Sequence, residues 1–170
     1  MYPSPKCFSE NGYPLMFDKK MLLREIQYKD LERLLHLYNQ LHEEDEPQHI
    51  NAGVMEMWQR ILDTKNHHII VAEANNTLIA ACSLTVVPNL TRGVRPYAVL
   101  ENMIVDKEYR RRGYAVAVLE YTIQLAQSEN CYKIMLTTRH TNEASQALYT
   151  KMGFQGDARM SFVMTLPPGK

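Results

Sequence analysis

Between an apolar run that ends at Val105 and another that starts at Val116, the chain carries EYRRRGYA, residues 108–115. Three arginines (Arg110, Arg111, Arg112) and a glycine (Gly113) thus stand where a buried strand is expected to turn into a buried helix. A helix start exposes N–H groups that no carbonyl of the helix accepts, and the peptide dipoles add partial positive charge there. The partner suited to such a turn is an anion, above all a phosphate. Gly113 removes the Cβ that would hold a bulky phosphate off the backbone. Tyr114, Ala115 and Val116 open the helix, and Ala115 is small where such a ligand crosses. The spacing Arg110-x-x-Gly113-x-Ala115 is neither G-x-G-x-x-G nor a P-loop, so it points to neither a dinucleotide nor a nucleoside triphosphate. Taken alone, the triplet also reads as a solvated basic turn. A nucleic-acid contact is weakly supported, because the chain has zero net charge and no aromatics interleave the arginines.

Two further sets of residues could do chemistry. Asn142 and Tyr149 fall within about 20° of each other on a helix, roughly two turns apart, with Ser145 on the same face. Glu101, with Asn102, interrupts the apolar strand YAVLENMIV (97–105), and alternation puts Glu101 on a face with Val99, Met103 and Val105. A carboxylate inside a central strand is costly unless paired or put to use; a structural ion pair and a proton acceptor both stay open. The acidic stretch HEEDEP (42–47) could favour a cationic amine or be a solvated helix end. Arg92 and Arg95 could instead grip a carboxylate or phosphate, and His140 is a second base candidate or a surface histidine.

The elements that must position these residues follow from pattern. LLREI (22–26) reads as a strand. Leu31, Leu34, Leu35, Tyr38 and Leu41 mark an amphipathic helix that Asp30 could cap. Val54, Met57, Trp58, Ile61 and Leu62 mark a second helix. HIIVAEA and LIAACSLTVV flank Asn75 and Asn76 as a hairpin. The nearly all-apolar strand 97–105 suits a position covered on both faces. A long helix follows from Gly113, then a strand YKIMLTTR (132–139), a short helix closed by Gly153, and a last strand SFVMTL (161–166). The order β-α-α-β-β-β-α-β-α-β gives an α/β class with a mixed sheet and helices on both faces. A length of 170 residues suits one domain over 21–170, preceded by an arm rich in Pro, Ser, Gly and Asn at 1–20. The three cysteines form neither a disulfide framework nor a zinc pattern, which suits a reducing cytoplasm. No metal site is read. No apolar run approaches the roughly 20 residues that span a bilayer, so no membrane partner is expected.

The turn R-x-x-G-x-A between a central strand and a long helix resembles the acetyl-CoA pyrophosphate loop of the GNAT superfamily of N-acetyltransferases. VLENMIVDKEYRRRGYAVAVLEYTIQLA, then YKIMLTT, NEASQALYTKMGF and a final strand, resembles that family's second half, and the likeness covers roughly residues 21–166. It implies a central sheet that splays, with the backbone of Met103, Ile104 and Val105 pairing with pantetheine amides. It also implies that Arg110–Val116 hold the pyrophosphate and that Asn142 and Ser145 lie toward the pantetheine arm. Tyr149 would protonate the departing thiolate, and an acid on the central strand, here Glu101, would deprotonate the amine. The implied function is transfer of acetyl from acetyl-CoA to a primary amine of a small molecule, by direct attack in a ternary complex. A protein or peptide amine, or an acyl-CoA-binding domain without turnover, are the alternatives. Members of the family often pair as dimers, which extends to this chain the expectation of a homodimer.

Overall fold

The computed structural model describes residues 21–41, 44–156 and 161–166. The expected arm at 1–20 lies outside them, as do His42 and Glu43 of the acidic stretch. The chain divides into two compact units, one ending at Leu136 and the other starting at Thr137.

The first unit is a five-stranded sheet in the order β1 (Leu22–Glu25), β2 (His67–Ala74), β3 (Thr77–Val87), β4 (Tyr97–Val105), β5 (Ile134–Met135). The first three pairings are antiparallel and β4–β5 is parallel, as a crossover through a helix requires. The β2–β3 hairpin turns on Asn75 and Asn76, with φ of 50° and 62°. A two-residue turn of that hand matches the twist of paired strands, and asparagine tolerates it. On one face lie α1 (Leu31–Tyr38) and α2 (Ala52–Asp63); Leu31, Leu34, Leu37 and Trp58 pack there against Ile69, Val71, Leu78, Ala81 and Ile104. Met55 joins that face, whereas Met57, expected on it, is 49% exposed. On the other face lies α3 (Tyr114–Ser128), where the buried Thr122 hydroxyl meets Cys82 Sγ at 3.0 Å and donates to Val118 O at 2.8 Å. Asp30 precedes α1 without capping it: its carboxylate accepts from the Gln27 amide at 2.8 Å and from Arg24 and Arg33.

The second unit holds α4 (Glu143–Lys151). Asn142 Oδ1 caps its start by accepting from Ser145 N at 3.1 Å. Its end is a Schellman turn: Gly153, at φ 87°, donates to Thr150 O and Phe154 N donates to Tyr149 O, both at 3.0 Å. Ala144 and Ala147 on this helix are exposed.

Two expected strands differ. The segment 132–139 shrinks to the two residues of β5, and SFVMTL forms no strand, with Phe162, Val163, Met164 and Leu166 between 74% and 89% exposed. β-propensity measures fit to a paired, half-buried surface, and an apolar pattern alone supplies no partner. Among the described residues no helix is long and apolar enough to cross a membrane.

Candidate active site

The loop that leaves β4 is fixed at its root and open at its tip. Asp106 N donates to Ile79 O at 2.9 Å, and Asp106 Oδ1 accepts the Glu108 amide at 2.9 Å, which sets a 3-10 turn at Lys107–Tyr109. Arg110 Nε folds back onto Val105 O at 3.2 Å, and the Arg112 guanidinium lies 5.4 Å from the centre of the Tyr109 ring. Tyr109 in turn meets the buried Tyr114 edge-on at 6.0 Å. Arg110 and Arg112 therefore help define the loop's shape as well as adding charge. Arg111 (φ 63°) and Gly113 (φ 91°) are left-handed around Arg112, an alternation from which anion-holding concavities are built. Among the described residues, the amides of Arg111, Arg112, Gly113, Ala115 and Val116 donate to no backbone carbonyl; the first such bond of α3 is Ala117 N to Gly113 O at 3.1 Å. This cradle of unused donors at a helix start fits a pyrophosphate.

β4 itself carries a bulge. Ala81 pairs with Ile104 and Ser83 with Glu101, so Asn102 and Met103 together face Cys82, and Asn102 takes φ 53°. The extra residue shifts the alternation. Glu101 consequently shares the α1 face with Val99 and Ile104, and not with Met103 and Val105 as a regular strand would have it. Glu101 is exposed, so the cost of a buried carboxylate does not arise. Ile104 is core, while Met103 and Val105 are half-buried. Among the described residues β5 pairs with β4 only at Ala98 and Val99, so the ladder on that side of β4 stops before Leu100.

On the α1 face a cleft of about 200 Å³ is lined by Leu35, Tyr38, Asn39, Leu41, Asp45, Glu46, Gln48 and Asn102. Asn39 shapes it by gripping the Gln48 backbone twice, Oδ1 accepting Gln48 N at 2.9 Å and Nδ2 donating to Gln48 O at 3.2 Å. Tyr38 lies 3.2 Å from Ser83 Oγ, and Ser83 is the ladder partner of Glu101. Burial, only partly offset by the Ser83 hydrogen bond, pushes the Tyr38 hydroxyl up to about 12, so it stays protonated.

In the second unit Tyr149 is 8% exposed, and its ring packs edge-on against Phe154 at 5.8 Å. The Schellman turn fixes that pair, since Phe154 donates its N–H to the Tyr149 carbonyl and its side chain then meets that same residue.

The Acetyltransferase (GNAT) family model matches residues 30–154. The chain belongs to this family. It is 28% identical over 139 residues to glucosamine 6-phosphate N-acetyltransferase of Trypanosoma brucei brucei, covering 81% of this chain and 90% of that one. A solved structure from Agrobacterium tumefaciens str. C58, named as an acetyltransferase, is 34% identical with a TM-score of 0.81, over 85% of this chain and 99% of that chain. The aminoglycoside N-acetyltransferase AAC(6')-Iy in complex with CoA shares the fold, with a TM-score of 0.71 at 21% identity, over 88% of this chain and 97% of that one.

For this GNAT N-acetyltransferase, the first unit brings together the loop residues Arg110–Val116 as one cradle, and sets Glu101 beside the cleft-lining Asn102. Arg95 donates through its guanidinium to Asn130 O at 3.2 Å and Cys131 O at 2.9 Å, closing the end of α3. Arg92 sits at φ 58° in an exposed loop, and His140 is exposed in the second unit. Sequence reasoning missed Tyr38, Asn39 and Asn102. The available signals were Tyr38, a hydroxyl on an otherwise leucine stripe, and Asn102, polar within an apolar strand. Among the described residues no group of three His, Cys, Asp or Glu could hold a metal ion.

Proposed function

We infer that this acetyltransferase moves acetyl to a primary amine of a small, cationic molecule, by direct attack in a ternary complex. The observation that carries the reading is the cleft: Asp45 and Glu46 line it together with Asn102, the neighbour of Glu101. An amine with a reference pKa of about 10.4 arrives protonated, so carboxylates at the entrance favour it and a base must strip it. Glu101, exposed on the same sheet face, takes that proton, directly or through water.

Acetyl-CoA supplies the activated thioester and leaves a thiolate. The unused amides of Arg111, Arg112, Gly113, Ala115 and Val116 hold its pyrophosphate, with Arg111 adding charge. The β4 backbone at Met103–Val105, beyond the reach of β5, offers pantetheine the hydrogen bonds of a missing strand. An N–H there polarises the thioester carbonyl. Asn142, whose Oδ1 is spent on the α4 cap, offers its Nδ2 to the pantetheine arm, as Ser145 does its hydroxyl. Tyr149 returns a proton to sulfur, a modest demand, since a phenol near 10 can protonate a thiolate of reference pKa about 8.5. Residues 21–170 act as one catalytic domain. Free Cys82 and Cys131 support the cytoplasmic expectation, and sedimentation would test the homodimer.

The deciding experiment is thiol release from acetyl-CoA across polyamines, aminoglycosides, amino sugars, amino acids and peptides. Steady release with a cationic small amine is expected. Release with peptides alone would replace the small-molecule reading by the protein-amine one.

A further inference from the structure

Two adjacent residues after α1 hold two different loops. Asn39 grips Gln48 of the cleft, as described. Gln40 reaches 66 residues along the chain: its Nε2 donates to Asp106 Oδ2 at 2.9 Å and its Oε1 accepts the Lys107 amide at 3.2 Å. Asp106 is the root of the anion-holding loop, its other oxygen committed to the Glu108 amide and its own N–H to Ile79. One primary amide is thus used at both ends, and one carboxylate at both oxygens. The bond from Gln40 to the Asp106 carboxylate is charge-assisted, the stronger kind. Any displacement of the loop root is therefore felt at Gln40, between Tyr38–Asn39 and Leu41, all of which line the cleft.

We propose that Gln40 is a positioning residue that ties the acceptor-side cleft to the anion-holding loop, so that filling one orders the other. The inference rests on the function inferred above. Coupling of this kind is reciprocal and amounts to roughly 5–150-fold in affinity. A glutamine merely filling surface would hold neither group so specifically, and would leave the two loops independent.

Hydrogen exchange of the full chain, read with and without CoA, tests it. In the wild type, CoA slows exchange at 111–116 directly and also, by about tenfold, at 45–48, where Asn39 holds the Gln48 amide. In Gln40→Ala the first protection persists and the second is lost, with the melting temperature nearly unchanged. Gln40→Glu keeps an acceptor for Lys107 but sets a carboxylate against Asp106. Its protection at 45–48 is lost as in Gln40→Ala, because two carboxylates repel where an amide had donated. Protection at 45–48 that is equal in Gln40→Ala and wild type overturns the inference. So does its absence in a wild type protected at 111–116; in both cases the inferred function stands. A wild type with no protection at 111–116 overturns the inferred function and this inference with it.

Discussion

The two ends of α1 are both polar, and they are built in opposite ways. At its start, Asp30 is fully buried and ion-paired to Arg24 and Arg33, and Glu73 of β2 pairs with the same two arginines. Arg33 also donates to the Asn76 carbonyl at 2.8 Å, so the network locks α1 to the β2–β3 turn. At its end the ties are amide hydrogen bonds from Asn39 and Gln40, around a cleft open to solvent. Closed charge at one end and neutral amides around open space at the other divide the labour. The first end secures the fold, and the second leaves the open cleft to which the amine is proposed to bind.

The strongest way to break that comparison is at the closed end. Asp30→Ala removes one of the two carboxylates that Arg24 and Arg33 share and leaves Glu73 alone against both, a loss of about 3 kcal/mol, the low end for a broken buried pair. Urea denaturation should register it, with KM of the folded enzyme unchanged. The wild type adds a pH signature. Burial alone would raise Asp30 and Glu73, but the hydrogen bonds from Arg24 and Arg33 outweigh it and hold both below the usual carboxylate range. Their contribution is present above the ordinary carboxylate pKa and is lost as pH falls through the depressed values. Stability of Asp30→Ala should therefore depend less on acid than that of the wild type.

The open end and the proposed chemistry should respond in rate. Tyr149→Phe is expected to lower turnover by ~10²-fold with little change in acetyl-CoA binding. Unchanged turnover, with chemistry shown to limit the rate, would remove its acid role. Glu101→Gln should bring a similar loss near neutral pH that shrinks as pH rises and the amine deprotonates without help. Since Glu101 is exposed, its denaturation midpoint should stay where it was. The smallest effect belongs to Asn39→Ala, which frees the Gln48 backbone. KM for the amine should rise about tenfold, with stability lowered by about 1 kcal/mol. If Asn39→Ala destabilised as much as Asp30→Ala, the distinction between the two ends would be gone.

Much of this was readable from residues close in sequence. The Asn75–Asn76 turn, the start of α3 at Gly113 and the stop of α4 at Gly153–Phe154 are local backbone decisions, set by which residues accept a positive φ. The family likeness then named the loop and Tyr149. What escaped was non-local. The bulge at Asn102 is a mismatch between two strands and leaves no mark on β4 alone, so the face of Glu101 was misassigned. Asp30 looked like a cap because capping is judged from neighbours, whereas Arg24, on β1, and Arg33 decided its bonds. The strand expected over 132–139 had the pattern and lacked the pairing, since β4 accepts β5 only at Ala98 and Val99. Tyr38, Asn39 and Gln40 acquire their roles from partners on other elements.

The central claim is that the backbone around Gly113 holds the diphosphate of CoA, and calorimetric titration of CoA tests it most directly. Gly113 sits at φ 91°, which a β-branched residue adopts only under strain, so Gly113→Val distorts the cradle while leaving the sheet intact. The wild type is expected to bind CoA at one site per chain, and Gly113→Val to bind at least about tenfold more weakly with an unchanged circular dichroism spectrum. Equal affinity in the two proteins, or no binding by the wild type, would contradict the claim.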